Sequence, residues 1–202
     1  KEARAIPVQM QKNMKNWRKN AHPMDVLQAF VAALAGYYDE KGTEKEISHQ
    51  RAINLIANVP TIIASWERVR NDKEPIEPDS NLSHAANFLY MLTGERPDKE
   101  MERVFDVCLI LHADHTFNAS TFAAREVAST RAHMYSAVSA AVGALSGELH
   151  GGANFEVMKM LLDIKEEGNV ENWVKEKIEN GDRIMGMGHA VYKTVDPRSM
   201  VL

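Results

Sequence analysis

The sequence predicts an all-α fold. Apolar residues recur at helical spacing along the whole chain, and no window alternates like a strand bounded by hairpin turns. No proline falls between Asp98 and Asp196, so nothing there forbids helix after helix.

The elements follow in order. Lys1 to Lys19 is charged and amphipathic and lacks the apolar core of a signal peptide. Pro23, followed by Met24, Val26, Leu27, Phe30, Val31 and Leu34, reads as a helix with proline in its first turn. A long helix is expected from Glu44 to Arg70, with apolar Ile53, Ile56, Val59, Ile63 and Trp66. Pro60 within it predicts a kink, because it removes a backbone donor and crowds the preceding turn. The two prolines and five charges between Asn71 and Asn81 make a surface loop. Ser83 then caps a helix that Gly94 closes. Pro97-Asp98 opens the next, running through Phe105, Cys108, Leu109 and Leu111, with Cys108 expected in the core. The stretch from about Ala132 to Leu145 is rich in small residues, which lets backbones approach and predicts a helix buried between neighbours. Eight of the eleven glycines lie from Gly143 onward, a shift that places a domain boundary near 150, as 1–152 and 153–202.

Composition excludes several classes. A formal net charge of −4 argues against a general nucleic-acid binder, which would show a basic face. No apolar run is long enough to span a bilayer, so no membrane role is expected. A lone cysteine staples nothing, which points to a reducing, cytoplasmic compartment. The chain starts without an initiator methionine and stops soon after a polar cluster, as a piece of a longer protein would.

Four polar clusters carry the chemistry. His112-Ala113-Asp114-His115 leads into Asn118, and Leu149-His150-Gly151-Gly152 opens a helical stretch. Gly186-Met187-Gly188-His189 and Asp196-Pro197-Arg198 follow. His150 stands at the positive end of a helix dipole, where a neutral imidazole would donate to a carbonyl oxygen, and the two glycines after it would let a substrate approach the backbone. A capping turn with an incidental histidine is the plainer alternative. Gly186 and Gly188 permit backbone angles that free amides for a ligand, but the strand-turn-helix setting of a dinucleotide site is missing. Arg198 offers a planar fork to a carboxylate, or else is a solvated surface arginine. His112 and His115 share a helix face, yet no HExxH or cysteine–histidine set accompanies them, so no metal is expected. His22, His49, His84 and His133 read as surface or satisfied helix residues. An anionic substrate held by imidazoles and a guanidinium is the chemistry these clusters share.

In this order the clusters resemble the citrate synthase family. The similarity is carried by Asn87 to Gly94, by Leu109 to His115 with Asn118 to Thr121, by Leu149 to Asn154, and by the signature region Gly186 to Arg198. The resemblance implies an almost wholly helical fold in which a large domain and a smaller one close over substrates. Residues 1–152 would then be part of the large domain and 153–202 the first part of the small one. It further implies condensation of oxaloacetate with acetyl-CoA to give citrate and CoA, with the thioester as substrate and no other cofactor. By that resemblance His150 stabilises the enol of acetyl-CoA and His189 protonates the oxaloacetate carbonyl. His115, Asn118 and Arg198 bind oxaloacetate, and Gly186, Met187, Gly188 and Lys193 lie where coenzyme A approaches. The family's general base is an aspartate well downstream of the signature histidine, whereas this chain ends thirteen residues after His189. Met187 and Ala190 depart from the residues usual in the signature. The resemblance also implies a homodimer built on antiparallel helices, with the helix 44–70 a candidate interface. A 2-methylcitrate synthase taking propionyl-CoA uses the same residues, and a truncated, non-catalytic paralogue is the reading from another class. A metal-dependent hydrolase is the most distant.

Overall fold

A computed structural model describes residues 1–113, 117–186 and 193–201. Among these the chain is helical and contains no strand, and the helices form two compact units, Lys1–Ala144 and Leu145–Leu202. The turn that carries His150 therefore goes with the second unit.

The first unit is organised on one long helix. Helices α1 (Val8–Met14), α2 (Pro23–Ala33), α3 (Glu44–Arg70) and α4 (His84–Thr93) come first, and α1, α2 and α4 all pack on α3. Helix α5 (Lys99–Ala113) packs on α4, and α6 (Ala119–Ser129) and α7 (Met134–Leu145) complete the unit apart from its last residue. Local chemistry sets the ends. Pro23 is the first residue of α2, and the His22 ring caps it by accepting from Met24 N at 3.3 Å. Thr43 and Glu46 form a capping box at the start of α3, with Thr43 N donating to Glu46 Oε2 at 2.8 Å. Ser83 caps α4, and Gly94, with φ at 94°, closes it in the left-handed conformation that glycine adopts without strain. The helix α3 runs unbroken through Pro60.

The buried face of α3 is more polar than its apolar spacing predicts. Asn54, Asn58, Thr61 and Ser65 are buried beside Leu55, Ile62, Trp66 and Val69, whereas Ile53, Ile56 and Ile63 face outward. For Asn58 and Thr61 the reason lies in the N-terminal segment, whose carbonyls they satisfy. Asn58 Nδ2 donates to Ala3 O at 2.7 Å and Ala5 O at 3.3 Å, and Thr61 Oγ1 donates to Arg4 O at 2.7 Å. Arg4 is itself buried and donates to Asp79 O and Leu82 O, both at 3.0 Å. The polar stripe thus holds the segment before α1 against α3 and ties in the 71–83 loop.

Tyr135, at the start of α7, is fully buried in the core with Met10, Met14, Phe30 and Leu34. Its hydroxyl donates to Glu40 Oε1 at 2.8 Å and accepts from Asn54 Nδ2 at 3.1 Å, while Arg51 Nε donates to Glu40 Oε2 at 2.8 Å. Farther along α7, Ser139 Oγ donates to Gln28 O at 3.0 Å. The small residues do let α7 approach α2, though only Tyr135, Ala137 and Ser139 are buried and the rest of the helix is not.

Cys108 is not a core residue. It is half-buried, and α5 contributes no buried side chain, because its contacts lie along α4 and its apolar residues Val104 and Ile110 stay exposed.

In the second unit α8 (Gly152–Glu167) packs on α9 (Val170–Glu179), where Trp173 is buried. Gly168 ends α8 with φ at 73°, and Asn169 caps α9 by accepting from Asn172 N at 3.1 Å. Phe155, Met158, Leu161 and Leu162 of α8 remain exposed. A 3-10 turn over Pro197–Met200 follows.

Candidate active site

The candidate residues divide between the units. Asn118 belongs to the first, while His150, Gly186, Lys193 and Arg198 belong to the second. His115, Met187, Gly188 and His189 lie outside the described residues.

Asn118 is the N-cap of α6. Its Oδ1 accepts from Thr121 N, an orphan donor of the first turn, and from the Ser120 hydroxyl, each at 2.8 Å. That leaves its Nδ2 as the group able to meet a ligand. Phe117 precedes the cap and packs edge-on against Phe122, with ring centroids 6.0 Å apart, while the Arg125 guanidinium lies 4.9 Å from the Phe117 centroid. This is a hydrophobic staple, which sets the direction in which the chain enters α6.

His150 is half-buried and stands one residue before Gly151, the N-cap of α8. The turn that presents it is closed by backbone bonds: His150 N and Gly152 N both donate to Gly147 O, at 3.0 and 3.2 Å, and Gly151 N donates to Leu145 O at 2.9 Å. The turn thus sets His150 at the start of α8, near the positive end of the helix dipole.

Gly186 has φ at 84°, a left-handed angle that favours glycine whatever the signature requires of it. Lys193 is exposed. Arg198 is half-buried and already meets a carboxylate. Asp196 accepts from Arg198 N at 2.9 Å, from Nε at 3.1 Å and from Nη2 at 2.7 Å, so it fills part of the guanidinium fork. The pair fixes the plane of the fork; an incoming carboxylate would share it with Asp196 or displace it. The i to i+2 spacing of Asp196 and Arg198 was the signal in the sequence for this contact.

A separate half-open cavity of about 530 Å³ lies in the first unit, between α2, α3 and α4. Leu27, Ile63, Trp66 and Phe88 line it with Glu67, and none of the candidate residues does. Its walls are apolar and carry no group suited to binding a dicarboxylate. Among the described residues no three histidine, cysteine, aspartate or glutamate side chains gather as a metal site.

Comparison with known proteins draws these features together. The family described as citrate synthase, C-terminal domain, matches residues 1–202. A citrate synthase of Synechocystis sp. is 45% identical over 200 residues, covering 98% of this chain and 50% of that protein. A citrate/2-methylcitrate synthase of Bacillus subtilis is 43% identical over 187 residues, or 91% of this chain and 50% of its own length. The crystal structure of citrate synthase from Pyrobaculum aerophilum aligns with a TM-score of 0.86 at 40% identity, over 99% of this chain and 52% of that one. The chain thus spans about half the length of the curated relatives it matches. With a match running from its first residue to its last, at this identity and with this helical architecture, the chain belongs to the citrate synthase family.

Proposed function

We propose that the complete protein carrying this chain condenses oxaloacetate with acetyl-CoA and water to give citrate and free CoA. The observation that carries the reading is the family match over residues 1–202, with His150, Arg198 and the 186–198 signature all present. Removing a proton from the thioester methyl group is the hard step, because charge develops on the thioester carbonyl oxygen. A preorganised donor there lowers the barrier, and His150, held at the start of α8 by its closed turn, is the residue for that role. His189 would give its proton to the oxaloacetate carbonyl as the carbon–carbon bond forms. Arg198, with His115 and Asn118, would hold the oxaloacetate carboxylates and carbonyl. The stretch Gly186 to Gly188 and Lys193 would meet coenzyme A. The base is the family's downstream aspartate, which this chain does not include. No metal or further cofactor enters this chemistry, and neither nucleic acid nor membrane is a partner.

Two broader features belong to the same proposal. The protein acts as a homodimer, with the outward-facing Ile53, Ile56 and Ile63 of α3 as part of the interface. It works in the cytoplasm, in keeping with Cys108 as the one cysteine of these 202 residues, and among the described residues no helix is long and apolar enough to cross a membrane.

The activity is tested by following thiol release from acetyl-CoA on addition of oxaloacetate to the complete protein. Oxaloacetate-dependent release supports it; none from any short acyl-CoA overturns it. The Bacillus subtilis relative, whose name includes 2-methylcitrate, favours a second reading in which propionyl-CoA is taken as well. One extra methylene is discriminated by roughly 10- to 200-fold at most. Comparing kcat/KM for the two thioesters separates the readings.

A further inference from the structure

The turn between α7 and α8 holds two adjacent glycines, and only one of them is sterically required. Gly151 has φ at −78° and ψ at −14°, angles that any residue adopts, so conformational freedom does not explain it. Contact does. A Cβ at 151 would overlap the carbonyl oxygen of Leu145 and stand 3.1 Å from Leu145 Cδ1. That oxygen is the acceptor for Gly151 N, so moving it away also breaks a bond that closes the turn. It is a backbone atom and has no rotamer to escape into. At Gly152 the nearest atom to an added Cβ is Gly147 O at 3.5 Å, an ordinary contact.

We propose that Gly151 is a positioning residue for the reaction: its lack of a side chain lets the Leu145 carbonyl close the 145–151 turn, and that closure aims His150. The proposal rests on the reading of His150 as the donor to the thioester carbonyl. It differs from the expectation that both glycines clear room for substrate, since the room at Gly151 is taken by the protein's own backbone. A methyl group at 151 has to separate Leu145 from the residue bonded to His150, and a catalytic group misplaced by about 1 Å can cost on the order of 100-fold in rate.

The test compares the complete wild-type protein with Gly151→Ala, Gly152→Ala, His150→Ala and the double variant His150→Ala/Gly151→Ala. In thiol release, kcat should fall on the order of 100-fold in Gly151→Ala, with KM for oxaloacetate within roughly threefold of wild type. Gly152→Ala should lose at least roughly tenfold less than Gly151→Ala. Adding Gly151→Ala to His150→Ala should cost nothing more, because the glycine acts through a side chain already removed. The NMR signals of the His150 imidazole should move in Gly151→Ala and stay in place in Gly152→Ala, a readout that needs no turnover. Equal losses at the two glycines, a further full loss in the double variant, an unmoved imidazole signal, or a Gly151→Ala protein without a cooperative thermal transition would each overturn the proposal. A wild-type protein that releases no thiol instead overturns the activity, and the imidazole signals then decide the role of Gly151 separately.

Discussion

His150, His84 and Tyr135 show how much a single side chain's surroundings decide. His150 is offered by a turn closed by backbone bonds to Gly147 O and Leu145 O, and His150→Ala should leave those bonds in place. In the complete protein it should lower kcat by about 100- to 1,000-fold, the usual cost of losing one donor to a developing oxyanion, as steady-state thiol release would show. His84 has its pKa held below the ordinary 6.5, first by partial burial and then by the Arg4 charge, with Asp106 opposing. The folded protein therefore binds this proton more weakly than the unfolded chain. Stability from this group is complete above about pH 6.5 and declines as the pH falls below it. Denaturant midpoints measured from pH 8 to pH 5 should show that decline, and it should be shallower in His84→Gln. Tyr135 titrates in the other direction: burial raises its pKa, with Glu40 adding to the effect. Tyr135→Phe should cost about 1–3 kcal/mol in urea unfolding, because half-buried Glu40 and buried Asn54 each lose a partner. The same variant should show a shallower fall in stability above about pH 10 than the wild type, with Tyr38, whose pKa burial also raises, keeping part of it.

At the scale of elements, α3 is the frame of the first unit. Its polar stripe serves the N-terminal segment, so the energetic weight of Asn58 lies in the three bonds it completes with Ala3, Ala5 and Tyr38. Asn58→Leu should destabilise the protein by at least ~2 kcal/mol, since carbonyls and a hydroxyl are left unpaired in the interior. Limited proteolysis should then cut ahead of α1 before any other site. Unchanged cleavage at equal stability would show that the stripe does not hold the segment. The capping box of α3 is a smaller matter: Thr43→Ala should cost about 1 kcal/mol in the same unfolding experiment. Helix ends of this kind were legible in the sequence. Pro23, Ser83 and Gly94 act over a few residues, and their chemistry does not depend on what packs nearby. The histidine caps were not legible, because His22 accepts from Met24 N and His133 from Ser136 N through ring nitrogens seldom used that way.

For the whole molecule, the outward Ile53, Ile56 and Ile63 bear on assembly. Ile56, 67% exposed, is the most exposed of the three. Ile56→Asp should shift the complete protein from dimer toward monomer in analytical ultracentrifugation, with little effect on the thermal stability of the monomer. A dimer unaffected by that charge would place the interface elsewhere.

What the sequence determined by itself was the all-α class, most helix ends and the family, because these rest on local periodicity, on capping chemistry and on motifs that keep their order. Tertiary structure decided which face of α3 is buried, that Cys108 lies outside the core, that Asn118 is a cap and that Arg198 already holds Asp196. It also decided that Gly151, rather than Gly152, is the glycine its turn requires. For α3 and Gly151 the physical reason is that Asn58 and Thr61 are buried where distant carbonyls await a donor, and a missing Cβ matters only where another atom already stands; neither condition can be read from the periodicity of apolar residues.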